Sequence, residues 1–182
     1  MGHSGENSDD RLNEADMLLE SGDYSGALMI LDEILELDPD DAGAWYSKGF
    51  VFDSLDRFDE ALQCYDRALE LDPDCASAWY SRGIVLCALD RFAEALRCYD
   101  RVLELEPDDA GAWNNKGSVL RSLGRFEEAL RCYDRVLKLE PDDMAAWHNK
   151  GATLDDLGYP EEAALCYDRS RELSGVEEHR QG

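Results

Sequence analysis

A step of 34 residues runs through this chain and restricts its fold more than any other feature. Trp45 returns as Trp79, Trp113 and Trp147, Gly49 as Gly83, Gly117 and Gly151, and Pro39 as Pro73, Pro107 and Pro141. The second half of the unit returns most closely, as RFDEALQCYDRALELDPD from Arg57, RFAEALRCYDRVLELEPD from Arg91 and RFEEALRCYDRVLKLEPD from Arg125. Self-similarity at a fixed period of this length marks a repeat architecture, in which each unit is one supersecondary element stacked on the next.

Within residues 42–75, Trp45, Gly49, Phe52 and Leu55 fall at intervals of three or four and so share one face of a helix, helix A. Asp56 and Arg57 break the pattern. Phe58, Ala61, Leu62, Tyr65, Ala68, Leu69 and Leu71 then line a second apolar face, helix B. Leu71-Asp72-Pro73-Asp74 stops it, because the residue before a proline is pushed out of the α region and Asp74 favours a turn. Each unit is therefore a helical hairpin too small to bury its own apolar surface, and the glycine row is expected where helix A crosses a neighbouring helix closely. The expectation is an all-α stack of antiparallel helix pairs without β-sheet.

The spacing Trp45, Gly49, Phe52, Ala61, Tyr65, Pro73 resembles the tetratricopeptide repeat, whose pattern runs W-x2-L-G-x2-Y, then A-x3-F, then P. The resemblance covers residues 8–177 in five repeats, 8–41, 42–75, 76–109, 110–143 and 144–177, and implies a right-handed superhelical solenoid. Residues 1–7, small and polar, are expected to be disordered. The first repeat has Arg11 in the tryptophan's place and looks like a cap whose outer face meets water. The fifth drifts, with Pro160 opening helix B, Arg171 where the others have leucine and Gly175 where they have proline. The last seven residues, VEEHRQG, are too short for a separate closing helix and extend the last one by a turn, with 178–182 as a tail.

One departure from the family pattern is a cation before each glycine, Lys48, Arg82, Lys116 and Lys150. Such a row could bind anions. The favoured reading is structural, each cation laying its stem over the core and meeting a carboxylate of the neighbouring repeat, since Asp32, Asp66, Asp100, Asp134 and Asp168 recur at one helix B position.

Chemistry is sparse. Cys64, Cys98, Cys132 and Cys166 share one repeat position, so neighbours stand about 8–10 Å apart, beyond the roughly 7 Å of a disulfide and without the convergence a zinc site needs. They read as small core residues, and no metal or cofactor is expected. His3, His148 and His179 are isolated, and no phosphate loop, nucleophile elbow or H-E-x-x-H helix is present, so no catalytic residue is assigned. No apolar run approaches the roughly 20 residues of a membrane span, and the first ten residues do not form a signal peptide. A cytoplasmic protein is expected.

The resemblance implies that the A helices line a groove holding a peptide segment of a partner protein. At the groove-facing positions stand Asn13, Ser47, Ser81, Asn115 and Asn149, a ladder of small amides and hydroxyls similar to one some family members use to hold a peptide backbone. Beside it run Tyr46, Phe50, Tyr80 and Ile84 in the first half, and Asn114, Arg121 and His148 in the second. The aromatics suit apolar anchors of a ligand; alternatively they pack on adjacent A helices or a terminal segment. No repeat has the Lys and Asn pairing of a chaperone-type carboxylate clamp.

Net charge is −24, and residues 8–41 carry twelve carboxylates against Arg11 alone, whereas residues 110–143 balance six against six. That surface excludes nucleic acid as a partner and favours a basic protein segment, though acidity also serves solubility in a salty cytoplasm. The sequence reading is a non-catalytic scaffold for protein or peptide partners, basic or with apolar anchors, as a monomer or weakly self-associating through its ends. Its rivals are a regulatory or targeting domain of a larger enzyme and a self-associating structural unit.

Overall fold

Apolar residues spaced by three and four, punctuated by aspartate, glycine and proline, fold here into ten helices among the described residues. The structure is a computed structural model that describes residues 4–180, with side chains described for residues 10–175. The A and B helices alternate as α1 (Ser4–Glu20), α2 (Tyr24–Leu37), α3 (Ala42–Ser54), α4 (Phe58–Leu71), α5 (Ala76–Ala88), α6 (Phe92–Leu105), α7 (Ala110–Ser122), α8 (Phe126–Leu139), α9 (Met144–Asp156) and α10 (Pro160–Arg180). No strand occurs among the described residues.

Two expectations at the ends change. Residues 4–7 belong to α1 rather than to a disordered segment, because nothing between Ser4 and Ser8 stops a helix, Gly5 only weakening it. Residues 1–3 lie outside the described residues. At the other end α10 runs on to Arg180, so residues 178–180 of the expected tail continue the helix.

Helix boundaries follow from local chemistry. The backbone N–H groups of Gly26, Ala44, Ala112 and Ala146 donate to Asp23, Asp41, Asp109 and Asp143 at 2.7–2.9 Å, satisfying donors that a helix start leaves unpaired. In the third repeat Cys75 occupies that position and forms no side-chain cap bond. The turn between helices A and B needs a left-handed residue. Gly22, Gly124 and Gly158 supply it with φ of 72–83°, whereas Asp56 and Asp90 adopt φ of 56°.

The B helices carry their apolar stripe inward, with Ala61, Leu62, Cys64, Tyr65, Ala68 and Leu69 buried on α4 and the same positions repeated on α6 and in large part on α8. Each fully buried Leu or Val side chain contributes roughly 1.5–3 kcal/mol. The glycine row works as expected: a Cβ at Gly49 would lie 2.6 Å from the Tyr65 ring, at Gly117 2.7 Å from Tyr133 and at Gly151 2.9 Å from Tyr167. The tyrosine of each of these B helices packs against its own A helix at the glycine, where a Cβ would collide with the ring.

The chain divides between α5 and α6 into two compact units, residues 1–90 and 91–182. In the first, α1 touches α3 and α3 touches α5; in the second, α7 touches α9. Repeat junctions within the units share one hydrogen bond. The indole N–H of Trp45, Trp79, Trp113 and Trp147 donates at 2.9 Å to the backbone carbonyl of Pro39, Pro73, Pro107 and Pro141.

The cation row is structural. Lys48, Arg82, Lys116 and Lys150 each pair at 2.6 Å with Asp32, Asp66, Asp100 and Asp134 of the preceding repeat. Each also lies over the tryptophan of its own helix, 5.2–6.0 Å from the ring centroid. Aromatic face, cation and carboxylate form a three-part clasp, and the cation's stem is largely covered. Arg11, in the first tryptophan's place, pairs with Glu33 instead.

Candidate functional site

The A-helix residues expected to face a ligand are found in two settings, one in each unit. In the first unit Phe50 is 45% exposed and Ile84 40%, so two large apolar side chains one repeat apart are open to solvent. Tyr46 and Tyr80 are half-buried, and the Tyr46 ring tilts against Tyr65 at 6.0 Å, so its packing on an adjacent ring and its exposure hold together. Asn13 is exposed, Ser81 half-buried and Ser47 buried. The Ser47 hydroxyl donates to Asp16 at 3.4 Å, across from α3 to α1.

Between those two helices a cleft of about 280 Å³ opens, lined by Asp16, Leu19 and Glu20 of α1 and by Tyr46, Ser47 and Phe50 of α3. Positions 16, 19 and 20 share a face of α1 and positions 46 and 50 share a face of α3, which is why residues distant in sequence line one space. Asp53, one turn on from Phe50 and two from Tyr46, has its carboxyl pKa pushed up, first by burial and then by the neighbouring Asp56.

Beneath this face the Tyr65 hydroxyl is sealed from solvent with no hydrogen-bond partner at bonding geometry. Burial, then Asp53 and Tyr46, push its pKa up, while the nearby Ser81 hydroxyl pulls it down. In the second unit the equivalent Tyr133 hydroxyl meets Ser118 at 3.3 Å. Phe50 occupies the position of Ser118, so an exposed ring in the first unit replaces the hydroxyl that would have met the buried tyrosine.

The second unit's face is polar. Asn114, Asn115 and Asn149 are half-buried, and the Asn149 amide donates to the Asn114 carbonyl oxygen at 3.0 Å, so two members of the expected set engage each other. Each keeps further donor or acceptor capacity, since a primary amide has two N–H groups and two lone pairs. Arg121 pairs with Asp156 at 2.6 Å, which neutralises the cation expected there. His148 is exposed, its ring 5.3 Å from Tyr167, whose hydroxyl donates to Asp155 at 2.9 Å.

Asp16 is the first repeat's counterpart of Phe50; Glu20, one turn further along α1, lies outside the expected set, although its helical spacing from position 16 is legible in the sequence. The buried thiols are poor nucleophiles: burial, partly countered by the adjacent Lys48 and Lys116, pushes Cys64 and Cys132 up to about 11.

Tetratricopeptide repeat models match residues 42–75, 76–109 and 110–143, and related models of the same repeat match 12–55 and 145–174. The chain belongs to the tetratricopeptide repeat family. Proteins of this family are generally non-catalytic interaction scaffolds. Among solved structures, MamA residues 41 to the end from Desulfovibrio magneticus RS-1 are 22% identical, with 94% of this chain and 97% of that chain covered and a TM-score of 0.88. A MamA crystal structure is 21% identical over 91% and 96%, with a TM-score of 0.86. YrrB, a tetratricopeptide protein with an unusual peptide-binding site, is 28% identical over 90% of this chain and 84% of its own, with a TM-score of 0.80. No curated protein gives a significant sequence match. Among the described residues no helix is long and apolar enough to cross a membrane.

Proposed function

We propose that this tetratricopeptide protein is a non-catalytic scaffold that binds an extended peptide segment of a partner protein along its A helices. The observation that supports this reading best is the open pair Phe50 on α3 and Ile84 on the neighbouring α5, with Tyr46 beside a cleft, in one compact unit. Large apolar groups in such a setting act as anchor pockets, where truncation of one contact costs about 1–2 kcal/mol. Tyr46 and Tyr80 add hydroxyls for peptide backbone groups, and in the second unit Asn114, Asn115 and Asn149 offer amides for the same purpose, each bond worth about 0.5–1.5 kcal/mol. The likeness to YrrB supports a peptide as ligand.

The test is selection of random twelve-residue peptides displayed on phage against the full chain, followed by calorimetry on the enriched sequences. Tyr46→Ala and Phe50→Ala are expected to weaken binding by about 1–2 kcal/mol each. Gln63→Ala and Arg131→Ala, at exposed positions of the B helices, are expected to leave it unchanged. Loss of binding in the B-helix variants with none in the A-helix variants refutes the reading.

A further inference from the structure

We infer that the cleft between α1 and α3 seats a lysine or arginine side chain of the bound segment, with an apolar residue of the same segment beside it on Phe50. The inference rests on the peptide-binding reading above and deepens it by naming the chemistry of the residue held. A cleft of about 280 Å³ admits one long side chain rather than a folded element.

Its lining is sorted. Leu19, Phe50 and the ring of Tyr46 present apolar surface, and Asp16 and Glu20 bring two carboxylates to the same wall. A side chain with an aliphatic stem and a cationic head matches both, the stem on the rings and the head at the carboxylates. The protein uses the same combination four times internally, where Lys48, Arg82, Lys116 and Lys150 lie over a tryptophan face and end on an aspartate at 2.6 Å. In the cleft the aromatic and carboxylate members are assembled again. Among the described residues neither Asp16 nor Glu20 is paired with a cation, and the neighbour that bonds Asp16 is the Ser47 hydroxyl.

The charge around the cleft selects the same ligand. Residues 8–41 carry twelve carboxylates against Arg11, and Arg11 is held by Glu33. An acidic segment is repelled from this face, and a second copy of a chain with net charge −24 is a poor occupant for the same reason. The second unit makes the contrast. There the two carboxylates of α9 already have partners, Asp156 in Arg121 and Asp155 in the Tyr167 hydroxyl.

The experiment uses the phage-selected twelve-residue peptides and three versions of the full chain. They are wild type, Asp16→Asn with Glu20→Gln, and Glu14→Gln with Glu36→Gln. The last pair removes the same charge from the same repeat at exposed positions outside the cleft. Circular dichroism establishes that all three fold alike; the amide at position 16 keeps an acceptor for Ser47. Enriched peptides are expected to carry Lys or Arg next to Leu, Ile or Phe. Asp16→Asn with Glu20→Gln should weaken them at least fivefold, Glu14→Gln with Glu36→Gln less than twofold. Replacing the peptide's basic residue by norleucine should abolish the difference.

Equal effects of the two double variants, or peptides without a basic residue that still lose binding with Tyr46→Ala, overturn the cation seat and leave the peptide-binding reading standing. Peptides indifferent to Tyr46→Ala and Phe50→Ala, or failure to enrich any peptide, count against both.

Discussion

Replacing Gly117 by leucine puts the packing argument under direct strain. A Cβ at this position lies 2.7 Å from Tyr133 Cε1, 2.9 Å from its Cζ and 3.2 Å from the Cys132 Cβ, where carbon atoms prefer about 3.5–4.0 Å. Tyr133 cannot swing aside cheaply, because it is fully buried and its hydroxyl meets Ser118. Overpacking of this kind costs about 1–3 kcal/mol, and three further carbons beyond Cβ push the loss to the upper part of that range. Against it stands the better helix propensity of leucine, about 0.8 kcal/mol. The expected net loss is about 1–2 kcal/mol. Urea unfolding followed by far-UV circular dichroism reads it as a lower midpoint. The same change at Gly175, where a Cβ meets nothing within 4 Å, should gain the propensity term without the clash and be neutral or stabilising. If Gly117→Leu unfolds at the wild-type urea concentration, or both variants shift alike, the glycine row is not there to admit the tyrosines.

Asp56→Gly should stabilise by about 1 kcal/mol, because Asp56 holds a φ of 56° that Gly124 and Gly158 adopt without a Cβ; thermal melts should rise by about 2–4 °C, and no rise would refute it. Cys75→Asp should supply the helix cap that Asp41, Asp109 and Asp143 make and add about 1 kcal/mol, read as a higher urea midpoint than for Cys75→Ala. Thiol labelling with iodoacetamide at pH 8 should spare Cys64 and Cys132, whose pKa near 11 keeps them protonated, and modify the half-buried Cys75 first. Peptide mapping that finds all four buried cysteines labelled as fast as Cys75 would contradict that reading.

The period carried most of the fold, since Trp45, Gly49 and Pro73 with their copies locate every hairpin before any contact is known. Lys48 and Asp32 were legible as partners because both recur with the same step. The extension of α1 to Ser4 was not, because residues 4–8 contain no apolar residue and so no periodicity to read. Nor were the tryptophan hydrogen bonds. Their acceptor is a backbone carbonyl six residues earlier, and a carbonyl leaves no mark in the sequence. Of the candidate site, Tyr46 and Phe50 could be placed on a helix face. The cleft they share with Asp16 and Glu20 depends on how α1 settles against α3, a register that side-chain spacing within one helix does not encode. Arg121 shows the reverse limit: its place on helix A follows from the repeat spacing, but its pairing with Asp156, 35 residues away, does not.

The tryptophan bonds also place an optical probe at each of four repeat junctions. An indole whose N–H is bonded to a carbonyl changes its emission when water replaces that acceptor, and Trp45, Trp79, Trp113 and Trp147 each report a different junction through Pro39, Pro73, Pro107 and Pro141. Variants retaining one tryptophan at a time would therefore show whether the junctions open together or in sequence, in a class of proteins whose cooperativity is built from nearest-neighbour contacts.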